Sequence, residues 1–345
     1  MTRFRLIIIA ALFLFSSCGS AEKNYQRLLE KYAGGETSDT EELYESLLDA
    51  YSISSHSSDK IFFTKNLVLL SGGDEPEVIY PSSITLSADE SIDENITFAG
   101  INSDYVILGN NKGFCVFNDD GDPVAIYKSG PKETIDAMAM RNENVIFLSK
   151  GKLFEFNISS RQTREFVSGD FSSASKKFFR AFIQSSPKYS ALITGIAGSY
   201  YISVYDTQNG GLRLKNVDSS AFDFSISGNN LYYLRGGAGN WTVAKYDISS
   251  KNRTQIRQVA YLENFVISES GFIIVAEGKS RIENFSGEKS LLPEGWSVKG
   301  SCGSMLLIEY DDRIYLIDFN VLMQRLKEIS SAVKHASFQR TLAHG

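Results

Sequence analysis

From residue 60 onward the chain alternates short apolar runs with small polar turns, and one unit recurs. An apolar strand is followed by a tight turn, a second apolar strand that often ends in Asp or Asn, another turn and a weaker strand. The first strand of each pair starts at Leu67, Val106, Val145, Ala191, Leu231, Phe272 and Met305, at intervals of 39, 39, 46, 40, 41 and 33 residues. Its partner is expected at 77–80, 114–118, 153–157, 200–206, 241–247, 281–285 and 313–318. A strand also precedes each pair, at 61–64, 96–101, 135–140, 178–184, 221–227, 262–268 and 296–302. Outer strands follow the Asp or Asn turns, as at 124–128 and 211–216.

Four short strands repeating about every 40 residues predict an all-β fold, a seven-bladed β-propeller. The strands are apolar on both faces, as they must be when each blade is covered by a neighbour on either side. The turns agree. Asn118-Asp119-Asp120-Gly121, Asp206-Thr207-Gln208-Asn209-Gly210 and Asp247-Ile248-Ser249-Ser250 carry side chains that accept hydrogen bonds from backbone N–H groups two residues on. Blade seven ends near Asp318 without an obvious outer strand, and residues 52–58, just before the first inner strand, are candidates to supply it. Residues 321–336 read as a C-terminal helix with Leu322, Leu326, Ile329 and Val333 on one face, and the last residues should fray.

Ahead of the repeats the period changes. Tyr25-x-x-Leu28-Leu29-x-x-Tyr32 is matched 19 residues later by Tyr44-x-x-Leu47-Leu48-x-x-Tyr51. Each is an i, i+3, i+4, i+7 stripe on a helix. Gly34-Gly35 ends the first helix, and Ser38 with Glu41 reads as a capping box for the second. Helices of about 13 residues are marginal alone, so the stripes should pack on each other or on the next domain. The hairpin resembles one and a half tetratricopeptide-type units. Two roles stand open for it, a protein-docking element and a spacer between membrane and propeller.

The first twenty residues have a different character again. Arg3 and Arg5 precede an unbroken apolar run, Leu6 to Phe15. That run is too short to span a bilayer, which needs about 20 residues, and suits a signal peptide. Phe15-Ser16-Ser17-Cys18 follows, and it resembles the lipobox of bacterial lipoproteins, with Phe15 where Leu is usual. The resemblance implies cleavage before Cys18 and acylation of that residue, giving a palmitate-type anchor on the cell envelope, at the inner or outer membrane and facing the periplasm or the surface. Two or more acyl chains anchor stably where one binds only marginally.

Composition narrows the partners. Hydrophobic residues make up 43% and charged residues 22%, which is ordinary for a globular chain. Net charge is −6, and −8 once Arg3 and Arg5 leave with the signal peptide. An acidic chain offers no footprint for nucleic acid, and the sequence shows no polybasic cluster to hold it on anionic lipid. The three histidines, His56, His335 and His344, lie outside the expected blades, and His56 falls in a Ser-rich flexible segment. A Ser–His–Asp hydrolase needs a histidine within reach of its nucleophile, and zinc needs clustered His and Cys. Neither pattern is present. Gly236-Gly237-Ala238-Gly239 joins two strands, so it reads as a turn; a dinucleotide loop must run from a strand into a helix. Asn118-Asp119-Asp120-Gly121-Asp122 lacks the ligand spacing of a calcium loop. Cys115 and Cys302 fall on different blades, too far apart for a disulfide.

The segments Tyr205-Asp206-Thr207-Gln208-Asn209-Gly210-Gly211 and Tyr246-Asp247-Ile248-Ser249-Ser250 resemble the strand-to-turn region of WD40-like and quinoprotein-like propellers. The Trp-Asp and Gly-His signatures are absent, Gly72-Gly73 and Gly236-Gly237 give only a partial kelch pattern, and no named propeller family or cofactor follows.

The expected domains are a signal peptide over 1–17, a lipid-anchored helical segment over 18–58, the propeller over 59–319 and a C-terminal helix and tail over 320–345. The expected function is a non-enzymatic envelope lipoprotein, a monomeric propeller held to the membrane by its N-terminal lipid and binding an envelope protein. A lipid anchor joined to a propeller is also the layout of the lipoprotein scaffold that serves outer-membrane β-barrel assembly. One alternative is a glycan- or small-ligand-binding or hydrolytic propeller using Asp136, Asp223 and Glu263 around the central channel. Another is a surface-exposed adhesin.

Overall fold

The computed structural model describes residues 19–36, 39–57, 61–64, 67–70, 76–87, 96–102, 104–167, 179–185, 189–196, 199–206, 212–214, 221–237 and 239–344. Its strands form seven four-stranded antiparallel sheets, and the protein is a seven-bladed β-propeller. Blade one comprises β2 (Ile61–Phe63), β3 (Val68–Leu70), β4 (Glu77–Tyr80) and β5 (Ile84–Thr85). Blade two comprises β6 (Phe98–Ile101), β7 (Tyr105–Asn110), β8 (Gly113–Asn118) and β9 (Pro123–Lys128). Blade three comprises β10 (Ile135–Arg141), β11 (Asn144–Ser149), β12 (Lys152–Asn157) and β13 (Gln162–Val167). Blade four comprises β14 (Phe179–Ser185), β15 (Tyr189–Ile196), β16 (Ser199–Asp206) and β17 (Leu212–Leu214). Blade five comprises β18 (Ala221–Ser227), β19 (Asn230–Gly237), β20 (Asn240–Asp247) and β21 (Arg253–Ala260). Blade six comprises β22 (Leu262–Ile267), β23 (Gly271–Ala276), β24 (Lys279–Asn284) and β25 (Lys289–Leu291). Blade seven holds β26 (Ser297–Cys302), β27 (Met305–Tyr310) and β28 (Arg313–Asp318), and its outer strand is β1 (Ser52–Ser57), from the opposite end of the chain.

That outer strand is the one residues 52–58 were expected to supply. Ser52 pairs with Ile317 and Ser57 with Arg313. β1 therefore ties the chain before blade one to the last blade, and His56 lies on this strand, which corrects its placement in a flexible segment outside the blades. The register has a backbone cause: β28 would otherwise leave a row of unpaired N–H and C=O groups.

Period-two alternation explains how the blades stack. On β19, Leu231 and Tyr233 pack toward blade four, while Tyr232 and Leu234 pack toward blade six. Apolar clusters of this kind bridge blades one and two, two and three, three and four, four and five, five and six, six and seven, and seven and one. The last of these joins Leu307, Ile314 and Leu316 to Val68, and it completes the ring.

The Asp or Asn that ends the third strand of a blade acts as the sequence suggested. Asn118 Oδ1 accepts from the N–H groups of Asp120 and Asp122, Asn157 from Ser160, Asp247 from Ser250, and Asn284 from Ser286 and Glu288. In blade seven the same position, Asp318, accepts from Asn320 and Val321 and opens a helix instead of a hairpin. Gly121 sits in the first of these turns with φ +86°, and a Cβ there would overlap the carbonyl oxygen of Thr85 in blade one. Gly121→Ala should therefore cost at least about 1–2 kcal/mol from backbone strain alone, with the overlap added. An unchanged urea midpoint would contradict this.

The described residues also form three helices: α1 (residues 19–33), α2 (Thr40–Tyr51) and α3 (Phe319–His344). α1 closes with Gly35 at φ +78°, Gly35 N–H bonded to Tyr32 O and Glu36 N–H to Lys31 O. This is the glycine-dependent helix stop expected at Gly34-Gly35. The cap of α2 differs from expectation. Asp39, not Ser38, is the N-cap, because its carboxylate accepts from Glu41 and Glu42 N–H at 3.0 and 3.1 Å; Ser38 lies outside the described residues. α3 also runs further than 321–336, reaching His344, since no glycine or proline interrupts the chain before Gly345.

The helices are not separate from the ring. Tyr25, Leu28 and Tyr32 of α1, Leu43, Leu47 and Leu48 of α2, and Leu322, Leu326 and Ile329 of α3 share one apolar cluster with Ile273 and Ile282 of blade six and Ile308 and Ile317 of blade seven. α3 touches β25 and β28, and α2 touches β28 and β1. The helices thus fill the wedge that opens where blades six and seven diverge, next to the short outer strand β25.

Candidate functional site

Four inner strands share an irregularity. β10, β18, β22 and β26 each carry a bulge near their start, leaving Asp136, Phe222, Glu263 and Lys299 as the additional residue in the ladder. A bulge re-aims a side chain and increases local twist. Inner strands line the channel of a propeller, so these four positions gather at one end of its wall.

The charges at that end are held within their own blades. Glu263 Oε1 accepts from Gly278 N–H at 2.9 Å, in the β23–β24 turn of the same blade. Lys299 Nζ lies 2.5 Å from Glu309 Oε2 on β27. Just before β10, Glu133 pairs with Lys150 of the β11–β12 turn at 2.6 Å. The Lys150 hydrogen bond, with help from Gly130 N–H, holds the Glu133 carboxyl below the usual carboxylate range. Each contact fastens the start of an inner strand to the hairpin beside it.

The three carboxylates expected at the channel are all on inner strands, but on different blades. Asp136 is on blade three, Asp223 on blade five and Glu263 on blade six. Asp223 Oδ1 accepts from Phe224 N–H, a local bond. Among the described residues no group of three or more His, Cys, Asp and Glu is placed to hold a metal ion. Cys115 is buried in the cluster of blades one and two and Cys302 in that of blades seven and one, and no disulfide joins them. His335 and His344 lie on α3. Cys18 lies outside the described residues.

Sequence reasoning missed a buried ion cluster. Glu155 of β12, whose side chain is 4% exposed, accepts from Arg141 Nη1 at 3.2 Å and from Arg164 Nε at 2.6 Å. Burial pushes the Arg141 guanidinium below its ordinary value, and the facing Glu155 carboxylate opposes that push. The clue in the sequence was a glutamate flanked by Phe154 and Phe156, directly opposite Arg164 in the register. A related pair crosses blades: Arg257 Nε of β21 stands 3.7 Å from the buried Glu283 of β24.

The outer surface carries the other signal. Large hydrophobics exposed among the described residues are Ile126, Tyr261, Leu291 and Phe338. Ile126 is on the outer strand of blade two. Tyr261 joins blades five and six, Leu291 is on the outer strand of blade six, and Phe338 is on α3.

No protein-family model matches the chain, and none of the curated proteins does. Solved structures do. The WD40 domain of Neurospora crassa Pan2 is similar with a TM-score of 0.52 at 10% identity, over 78% of this chain and 96% of that one. BamB from Moraxella catarrhalis gives 0.48 at 13% identity, over 77% and 87%. The Dos1 propeller gives 0.48 at 10%, over 78% and 77%.

The likeness is one of fold. At 10% identity the likeness to the Pan2 domain shows the fold alone, and the residues at the channel mouth and on the rim have to be judged on their own chemistry.

Proposed function

We propose that this protein is a lipid-anchored envelope lipoprotein whose propeller is a non-enzymatic scaffold for a protein partner. The observation that carries the scaffold reading is that Tyr261 at the junction of blades five and six, Leu291 on the outer strand of blade six and Phe338 of α3 leave large apolar side chains 73%, 56% and 62% exposed. Exposed large apolar side chains are the contact points that an interaction surface uses. The channel-mouth contacts support the same reading, because Glu263 and Lys299 brace the blades. The anchor rests on the signal-peptide pattern and the Phe15-Ser16-Ser17-Cys18 motif. Assembly of other envelope proteins is the specific version of this role that the layout favours.

A photo-crosslinking residue placed at Leu291 in cells is the test. It should trap a defined membrane-protein partner, whereas the same residue at Lys251, a hairpin position on blade five, should not. Recovery of uncrosslinked monomer alone from Leu291, Tyr261 and Phe338 would overturn the scaffold reading.

A further inference from the structure

We infer that α1 lies along an anionic phospholipid surface, holding the blade six and seven side of the rim against the bilayer; this rests on acylation of Cys18. Three observations carry it. The first is spacing. The chain is already helical at residue 19, and Ala21, three residues past Cys18, packs against the cluster of helices and blades. Three residues span at most about 11 Å, and the headgroup layer of a leaflet is roughly 5–7 Å thick. A flexible ten-residue tether would have a root-mean-square length of about 17 Å. Acyl chains on Cys18 therefore enter the bilayer directly beneath the folded body.

The second is how firmly the start of α1 is held. Glu22 accepts from the Tyr51 hydroxyl at 3.2 Å, Tyr25 packs edge-on against the Tyr51 ring at 5.4 Å, and the Arg325 guanidinium covers that ring at 4.4 Å. α1 cannot swing away as a free arm without breaking contacts to both α2 and α3.

The third is charge. Tyr25, Leu28 and Tyr32 face the cluster, and away from it α1 exposes Lys23, Arg27 and Lys31 at successive four-residue steps, three cations against the two exposed carboxylates Glu22 and Glu30, of which Glu22 is engaged by the Tyr51 hydroxyl. Residues four apart lie on one side of a helix. A basic stripe on the anchor-proximal helix of a chain of net charge −6 is complementary to anionic headgroups. Blade three stands across the ring from the wedge, and its outer strand β13 is thereby presented away from the membrane.

The test uses the full acylated protein in vesicles of phosphatidylcholine with phosphatidylglycerol and a headgroup-located quencher. A fluorophore on Glu30→Cys, about 17 Å along the helix from residue 19, should be quenched several-fold more than one on Thr163→Cys in β13. Inserting ten Gly/Ser residues directly after Cys18, combined with Lys23→Glu, Arg27→Glu and Lys31→Glu, should abolish the difference. Equal quenching of the two probes in the native spacing, with the acyl mass present on residue 18, overturns this inference alone. Absence of that mass overturns the anchor as well.

Discussion

Glu155→Ala should lower unfolding free energy by about 3–5 kcal/mol, the usual penalty for stripping the partner from a buried charge. Glu155 and Arg141 are 4% and 8% exposed at the side chain. Arg141 would keep its charge with little water to solvate it and with the Coulombic pull of Asp206 still acting on it. Arg164 is 73% exposed and loses little. The double variant Arg141→Met, Glu155→Leu should recover part of the loss, because two apolar side chains replace the pair while the buried Asp206 loses the Arg141 charge. Denaturant unfolding of both variants checks this. A loss below about 1 kcal/mol for Glu155→Ala, or a double variant worse than the single, would show that the pair is not buried as described.

Truncation after Phe319 should leave no folded propeller. It removes Leu322, Met323, Leu326 and Ile329, exposed by 3% or less. Each contributes about 1.5–3 kcal/mol by burial, roughly 6–12 kcal/mol together, against a total stability of about 5–15 kcal/mol. The wedge between blades six and seven would also open to water. Truncation after Ser337 should be tolerated, since it keeps Ala336, the last residue of α3 whose side chain is described as buried, and removes the exposed Phe338. Soluble yield and thermal midpoint distinguish the two. A soluble, cooperatively melting chain ending at Phe319 would mean that α3 is dispensable to the ring.

The blades were legible because their signals are local. The third strand of blade seven, Arg313–Asp318, and the inner strand Ala221–Ser227 are read to the residue, since an Asp, Asn or Gly turn bounds them. β1 is harder. Its sequence Ser-Ile-Ser-Ser-His-Ser has no apolar alternation, and it is a strand because the edge of β28 offers backbone partners. The end of α3 was set too early at 336, since the apolar stripe stops there while helix-compatible polar residues continue. Asp136, Asp223 and Glu263 fall on inner strands as expected, but the partner of Glu263, the Gly278 N–H, comes from a turn 15 residues away. The apolar stripes of the helices predict that they pack on each other or on the ring, and what the sequence leaves open is which blades they fill, since those contacts join elements far apart in the chain. The Arg141–Glu155 pair spans only 14 residues of one blade, but a charged residue in a strand reads as solvated until its neighbours are known.

The anchor is the point on which the envelope role depends, and Cys18→Ser probes it directly. Membrane and soluble fractions should be compared for the two proteins in the native cell. The wild type should sediment with membranes and carry acyl mass on residue 18, and the variant should move to the soluble fraction. A variant that sediments in the same proportion as the wild type would contradict a lipid anchor at Cys18.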